Sequence, residues 1–212
     1  MLYIDINDSR TIHFTYKNYK ITIITETKKI RKANLIINPP ALVRFATYPD
    51  LKETHLHKLI QNSIQDYFSV NLYEYTTDYR ILGNGTTMLV AVKTDAIEEY
   101  INRAGVSVQR VDLYQNFAST YIGNYDKGNI VLATIKGGEV VLQFMEKGLP
   151  TSVIDCDYTN LERIFSPYVS LDGISTIERA YLPKTTLPAL IDYLQTMGLE
   201  CVMFDEIYDL QF

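Results

Sequence analysis

The pattern of apolar and polar positions in the first thirty residues reads as three strands, with period-2 alternation plain at Ile21 and Ile23 against Thr22 and only partial at Ile24. Leu2–Ile6, Ile12–Tyr16 and Lys20–Thr25 are rich in Ile, Thr and Tyr, side chains that suit a pleated, half-buried surface. Lys17-Asn18-Tyr19 provides the turn between the second and third runs. Asn38-Pro39-Pro40 then punctuates the chain, because neither proline donates to a sheet and each biases its predecessor toward extended geometry. A second unit follows. Ala41–Thr47 reads as a strand ended by Tyr48-Pro49-Asp50, and the period then changes to three and four at Leu56, Leu59, Ile60, Ile64, Tyr67 and Phe68, which predicts a helix. Glu74–Leu82 and Thr86–Lys93 flank Gly83-Asn84-Gly85, a hairpin turn whose residues tolerate positive φ.

Thr94 is expected to cap a helix with Glu98 and Glu99 in its early turns and Ile97, Tyr100, Ile101 and Ala104 on one face. Gly105 ends it, and Val106–Val111 returns as a strand. A further helix carries Leu113, Phe117, Ala118, Tyr121 and Ile122 on one side, and Gly123 to Gly128 is the best candidate for a linker. Beyond it lie strands at Ile130–Ile135, Glu139–Met145 and Thr151–Ile154, joined by Gly137-Gly138 and Lys147-Gly148. A short helix is expected near Tyr158–Phe165, a strand at Ile174–Leu182, a helix at Thr186–Met197 and a strand at Glu200–Phe204. The buried face of that last helix is expected to hold Leu187, Leu190, Ile191, Leu194 and Met197. The stretches MLVAVKTDAIEEYINRAGVSVQRVDLY and IERAYLPKTTLPALIDYLQTMGLECVMFDEIY share one strand–helix–Gly–strand device, which suggests two similar α/β halves.

Composition changes this picture little. The 212 residues, 47% hydrophobic and 21% charged, suit an ordinary globular protein with a real core. Cys156 and Cys201 are too few for a disulfide framework and lack metal spacing. No stretch reaches the roughly 18 uninterrupted apolar residues of a membrane span, and no basic-then-apolar leader opens the chain, so a cytoplasmic location is expected. A net charge of −5 argues against nucleic-acid binding. The charge is unevenly placed. Residues 1–60 carry 10 Lys/Arg against 5 Asp/Glu, and residues 61–212 carry 10 against 20. Lys28-Lys29-Ile30-Arg31-Lys32 is the densest basic run, readable as a solvated loop or as a contact for anionic lipid or an acidic partner.

The stretch PALVRFATYPDLKETHLHKLIQNSIQDYFSVNLYEYTTDYRIL is more specific. It carries an aliphatic-Arg strand at Val43-Arg44, a proline-ended turn at Tyr48-Pro49, a helix, and a strand with Asp78-Tyr79. With the LVAVKTDAIEEYINRAGVSVQRVDLYQNFA that follows, this order resembles the PilM family of type IV pilus assembly proteins. More distantly it is similar to the cytoplasmic part of GspL proteins of type II secretion. The resemblance implies a two-lobed actin-like (ribonuclease H-like) α/β fold. Its first lobe would span 1–122 with an inserted subdomain at about 36–93, and a truncated second lobe would span 123–212. Only about twenty residues separate Asp155 from Ile174, too few for the fourth subdomain of full-length actin relatives.

That family fold places a nucleotide between its lobes, and here the phosphate contacts are degenerate. Asp5 stands where the first loop has its Asp, but Asn7 replaces glycine, and Asp8 precedes Ser9. Glycine lets backbone N–H groups approach phosphate closely, and an extra carboxylate repels an anion. Gly137-Gly138 follow Lys136 with no acidic residue before them, and Leu182-Pro183-Lys184 stands where an adenosine loop would have glycines. No cofactor, no metal and no catalysis are therefore expected. His55 and His57 lie two apart on a helix and face different ways. The aromatic residues Tyr73, Tyr75 and Tyr79 alternate along a strand, as an interaction face or as packing on the strand's own helix.

The resemblance further implies a scaffold at the inner face of the cytoplasmic membrane, held there only indirectly. Its partner would be a PilN-like bitopic membrane protein whose N-terminal cytoplasmic segment lies in a groove between the first lobe and the inserted subdomain; a pilus assembly ATPase is a further candidate. Pro39, Pro40, Val43, Arg44, Phe45, Asp78 and Tyr79 mark that border and are the candidate lining, although Arg44 and Asp78 are equally readable as a pair with each other. Two other classes stay open: an enzyme holding Mg·ATP on Asp5 and Asp155, and an adaptor of cell division or competence.

Overall fold

The computed structural model describes residues 1–6, 10–25, 30–83, 85–136, 138–170, 172–173, 175–210 and 212. Strands β1 (Leu2–Ile6), β2 (Thr11–Lys17) and β3 (Lys20–Ile23) form an antiparallel meander, and β4 (Lys32–Ile37) joins β1 in parallel. β4 has no counterpart in the strands expected from sequence. Its residues Ala33 to Ile37 are all buried. A parallel strand covered on both faces reads as a continuous apolar run and gives no alternation to detect.

The chain then leaves this sheet to build β5 (Ala41–Thr47), α1 (Glu53–Ser63), β6 (Tyr75–Gly83) and β7 (Thr86–Lys93). These strands make a separate sheet of order β5-β7-β6. Ile60, Ile64 and Phe68 of the helical stretch pack on Leu89 and Ala91 of β7, but Leu59 is 37% exposed and stands apart from that cluster. Tyr73 precedes β6 and is 96% exposed, whereas Tyr75 and Tyr79 pack against the α1 cluster. The three tyrosines therefore do not form one face. Asn84, in the hairpin, lies outside the described residues.

α2 (Thr94–Ala104) returns the chain to the first sheet, where β8 (Ser107–Leu113) pairs in parallel with β4. Thr94 is the first residue of this helix and not its cap. Lys93 holds the cap position without a side-chain bond, and the Thr94 hydroxyl meets that of Thr76 at 3.2 Å. Gly105 ends the helix at φ 62, as a left-handed cap requires. The first sheet thus has the order β3-β2-β1-β4-β8.

α3 (Tyr114–Tyr125) leads to a second sheet of β9 (Ile130–Lys136), β10 (Glu139–Glu146), β11 (Leu149–Asp155), β12 (Arg179–Pro183) and β13 (Glu200–Phe204), with α4 (Leu161–Phe165) and α5 (Pro188–Thr196) on it. Its order, β11-β10-β9-β12-β13, repeats the first sheet: an antiparallel meander, then two parallel strands. β12 therefore corresponds to β4. The repeat seen in sequence matched it to β7, which belongs to the inserted sheet; only the helix–Gly–strand portions are equivalent. The strand expected from Ile174 is confined to β12, and Ile174 and Gly137 lie outside the described residues. Leu190 and Leu194 of α5 are fully buried, but Leu187 precedes the helix and is 52% exposed.

Gly123 is not linker. It is buried inside α3, and a Cβ there would collide with the Gly148 carbonyl in the β10–β11 turn. α3 is the shared centre of the molecule. Phe117, Ala118, Tyr121 and Ile122 pack with Phe14 and Ile36 of the first sheet and with Ile130, Leu132, Tyr181 and Phe204 of the second. One core therefore runs through both lobes.

Candidate functional site

The inserted sheet presents two faces with different jobs. Leu42, Ala46, Leu89 and Ala91 pack on α1, whereas Val43, Phe45, Met88, Val90 and Val92 pack toward Ile97 and Leu113 of the first lobe. On β6, Asp78 and Arg80 lie opposite Val90 and Met88, so their side chains share the lobe-facing side. Between that side, the first sheet and α3 lies a cavity of about 390 Å³. Tyr3, Tyr16 and Phe117 form its aromatic lining, Met88 and Val90 its apolar wall, and Asp78, Arg80, Arg110, Asp112, Asn116 and Thr120 its polar groups.

Arg80 is the central cation. It is partly buried and donates to Thr120 Oγ1 at 2.8 Å. It makes no ion pair among the described residues, and burial lowers its pKa with Asp112 opposing that shift. Asp112 accepts from the Leu113 N–H at 3.0 Å and from Arg110 at 3.4 Å. Burial raises its carboxyl above the usual range, while Arg110 beside it acts the other way. A guanidinium has five donors. The groove thus offers directed hydrogen bonds above an apolar and aromatic lining, the pairing by which extended segments are held.

The seven residues expected to line this border are not brought together. Asp78 and Tyr79 border the cavity. The Tyr79 ring belongs to the α1 face, where its hydroxyl meets His57 Nδ1 at 2.5 Å. Val43 and Phe45 pack within the lobe-facing layer without lining the cavity, Pro39 is buried and Pro40 is exposed. Arg44 and Asp78 are not paired. They sit on opposite edge strands and on opposite faces, Arg44 opposite Leu89 and Asp78 opposite Val90. Arg44 instead donates to the Val43 carbonyl at 2.8 Å. Arg80, Asn116 and Thr120 were missed from sequence. Arg80 shares the strand parity of Asp78, and Asn116 and Thr120 are four apart on α3, but only the tertiary fold brings the two elements face to face.

The second place to consider is the end of β1. Asp5 is 2% exposed, and Asn7, Asp8 and Ser9 lie outside the described residues. The Tyr208 hydroxyl donates to Asp5 Oδ2 at 2.6 Å. Burial pushes the Asp5 carboxyl up to about 6, against the opposing effects of the Tyr208 bond and Arg10. Asp5 Oδ1 has no hydrogen-bond partner among the described residues. Ile207 and Tyr208, in a short 3-10 turn at Ile207–Asp209, insert into the shared core beside Phe14 and Phe117, and Glu206 pairs with Arg10. Between the lobes Asn38 Nδ2 donates to the Ile135 carbonyl at 2.7 Å, and Lys136 Nζ to the Ala41 carbonyl at 3.4 Å. Asp155, the other carboxylate of the ATP reading, is exposed at the end of an edge strand. Among the described residues no group of three or more His, Cys, Asp or Glu is placed to hold a metal.

Two sheets of the same order, joined through one helix and with a small sheet inserted in the first lobe, define the actin-like fold. No protein-family profile and no curated protein sequence matches the chain. Solved structures do. A chain of the PilM–PilN type IV pilus biogenesis complex superposes with a TM-score of 0.70 at 11% identity, covering 96% of this chain and 87% of that one. The cytoplasmic domain of EpsL, an inner membrane component of the type II secretion system of Vibrio cholerae, gives 0.53 at 12% identity over 96% and 85%. A Bacteroides thetaiotaomicron protein of actin-like ATPase fold and unknown function gives 0.56 at 11% identity over 96% and 90%. The PilM-like resemblance in the order of sequence motifs is thus matched by the fold. No helix among the described residues is long and apolar enough to cross a membrane.

Proposed function

We propose that this chain is a non-hydrolysing scaffold of a type IV pilus or type II-like secretion platform at the inner face of the cytoplasmic membrane. Its groove holds the N-terminal cytoplasmic segment of a PilN-like bitopic membrane protein. The observation that carries this reading is the groove itself. A partly buried Arg80, without an ion pair among the described residues, overlooks an aromatic and apolar lining between lobe and inserted subdomain. An extended segment entering there gains hydrogen bonds along its backbone and seats alternate side chains against Phe117, Met88 and Val90. A pilus assembly ATPase is a second candidate partner, served by surfaces other than the groove.

The absence of hydrolysis is part of the proposal. Asp5 stands where the first phosphate loop has its Asp, and it is buried under the 3-10 turn at Ile207–Asp209. A carboxylate that orders Mg²⁺ needs open coordination positions and water. Calorimetric titration with the partner's N-terminal peptide and, separately, with Mg·ATP tests both halves. Micromolar peptide binding that weakens in Arg80→Ala, with no heat from ATP, is the expected result. ATP binding abolished by Asp5→Asn would overturn the scaffold reading.

A further inference from the structure

The first lobe gathers a row of cations that neither the groove nor the core uses. Strand direction places it: β1, β3, β4 and β8 start at one end of the first sheet, and β2 finishes there. At that end Lys17 lies directly opposite Lys20 across the hairpin, and Lys32 opens β4 with Arg31 before it. All four are exposed, and none forms an ion pair among the described residues. Three strand spacings separate β3 from β4, roughly 14 Å at the usual spacing. Like charges directly opposite in an antiparallel pair are destabilising. The arrangement is unfavourable until an anion meets it.

Between the two lysines the hairpin tip, Asn18-Tyr19, has φ of 51 and 62, the two left-handed residues that a type I′ turn requires. A bulky aromatic residue is uncommon in that conformation. Here Tyr19 stays 59% exposed, and its carbonyl accepts from the Tyr125 hydroxyl. The tip therefore presents an amphipathic ring flanked by two ammonium groups on a braced loop.

We infer that this end of the first lobe, Lys17, Tyr19, Lys20, Arg31 and Lys32, docks directly onto an anionic lipid surface. Lipid fits better than an acidic peptide because the five residues are an exposed end of a sheet and none of them lines either described cavity. A row of lysines and arginines around an exposed tyrosine matches the headgroup layer, where the ring sits at the boundary and the cations meet anionic lipid. The excess of acidic groups in residues 61–212 is repelled by the same surface and orients the molecule. This contact goes beyond the scaffold reading, which needs only a protein partner at the membrane.

The test is flotation of the full chain with phosphatidylcholine vesicles containing about 30% phosphatidylserine, beside vesicles of phosphatidylcholine alone. Binding to the anionic vesicles, released by salt, is expected. Each lysine removed should lower partitioning roughly fivefold, so the double variant Lys17→Gln/Lys20→Gln loses roughly twenty-five-fold. Tyr19→Gly relieves the left-handed backbone, so it should keep or raise the melting temperature while still weakening vesicle binding. Equal binding to neutral and anionic vesicles, or anionic binding untouched by the double variant, overturns the inference. So does binding to soluble polyglutamate with none to vesicles, which would assign the patch to an acidic protein.

Discussion

Tyr208 reaches Asp5 across 203 positions of sequence, its hydroxyl donating to Oδ2 at 2.6 Å. The bond ties the 3-10 turn at Ile207–Asp209 to β1, and Phe14 lies beside it with its ring tilted at 42° and its centroid 4.7 Å from that of Tyr208. It also explains how a carboxylate can sit at 2% exposure with its other oxygen unpartnered among the described residues. The turn at Ile207–Asp209 thus covers the end of β1.

Stability should therefore depend on pH through Asp5. Its carboxyl stands at about 6 in the fold against an ordinary value of 3.8. Between these values the folded chain keeps a proton that the unfolded chain has released, so stability falls as pH rises from 3.8 to about 6 and is level above. The full shift corresponds to about 2–3 kcal/mol. Urea denaturation across that window should show this slope in the wild type and lose it in Asp5→Asn.

Removing the hydroxyl is a separate test. Tyr208→Phe keeps the ring among Phe14 and Phe117 but leaves Asp5 without its donor, at an expected cost of about 1–3 kcal/mol. The same variant should move the Asp5 transition to higher pH, because the lost bond favoured the charged form. An unchanged transition would mean that the bond contributes nothing in solution.

In the groove, position should matter more than charge. Arg80→Ala is expected to weaken binding of the partner peptide by roughly tenfold or more, as expected for a lost charge-assisted bond. Arg44→Ala should leave affinity unchanged, because Arg44 is on the opposite face and edge of the inserted sheet. Titration of both variants with one peptide decides between this groove and a site along β5.

Gly123→Ala tests the close approach at the centre. The added methyl would meet the Gly148 carbonyl, and overpacking of this kind costs about 1–3 kcal/mol. Both lobes share the α3 core, so chemical denaturation should show one transition moved to lower denaturant, not loss of the second lobe alone.

Arg179 holds Asp126 at the start of the second lobe. Asp126 Oδ2 also accepts from Tyr181 at 2.9 Å, and Oδ1 from the Gly128 N–H at 2.9 Å. Burial alone would raise the Asp126 pKa, yet these bonds and the Arg179 charge together bring it below its ordinary 3.8. A depressed carboxylate stabilises above its unfolded pKa and loses that contribution as pH falls through its folded value. Arg179→Met should therefore lower stability near neutral pH and less so at the acid end, in denaturation curves recorded across pH.

Much of this fold was legible one element at a time. Runs rich in Ile, Thr and Tyr gave β1 and β2, Gly105 gave the end of α2, and the hairpin residues gave β6 with β7, because composition, period and turn chemistry are local properties. What failed was non-local. The buried run of β4 has no period to read, and β7 sits in a different sheet from the one its sequence echo suggested. Gly123 looked like a linker because a glycine required for close packing and a glycine in a loop are identical in sequence. In the groove, Asp78 was found from its motif, while Arg80 and Thr120, 40 residues apart, had no shared signal.

The sequence by itself determined most of the elements and their order along the chain. Each of these follows from short-range patterns of apolarity, turn residues and side-chain chemistry. The tertiary structure alone decided that α3 is the core of both lobes, that Tyr208 covers Asp5, and that Arg80 faces Thr120 across a groove. Those arrangements depend on which surfaces meet once the sheets close, and sheet order and register carry that information over separations no local pattern spans.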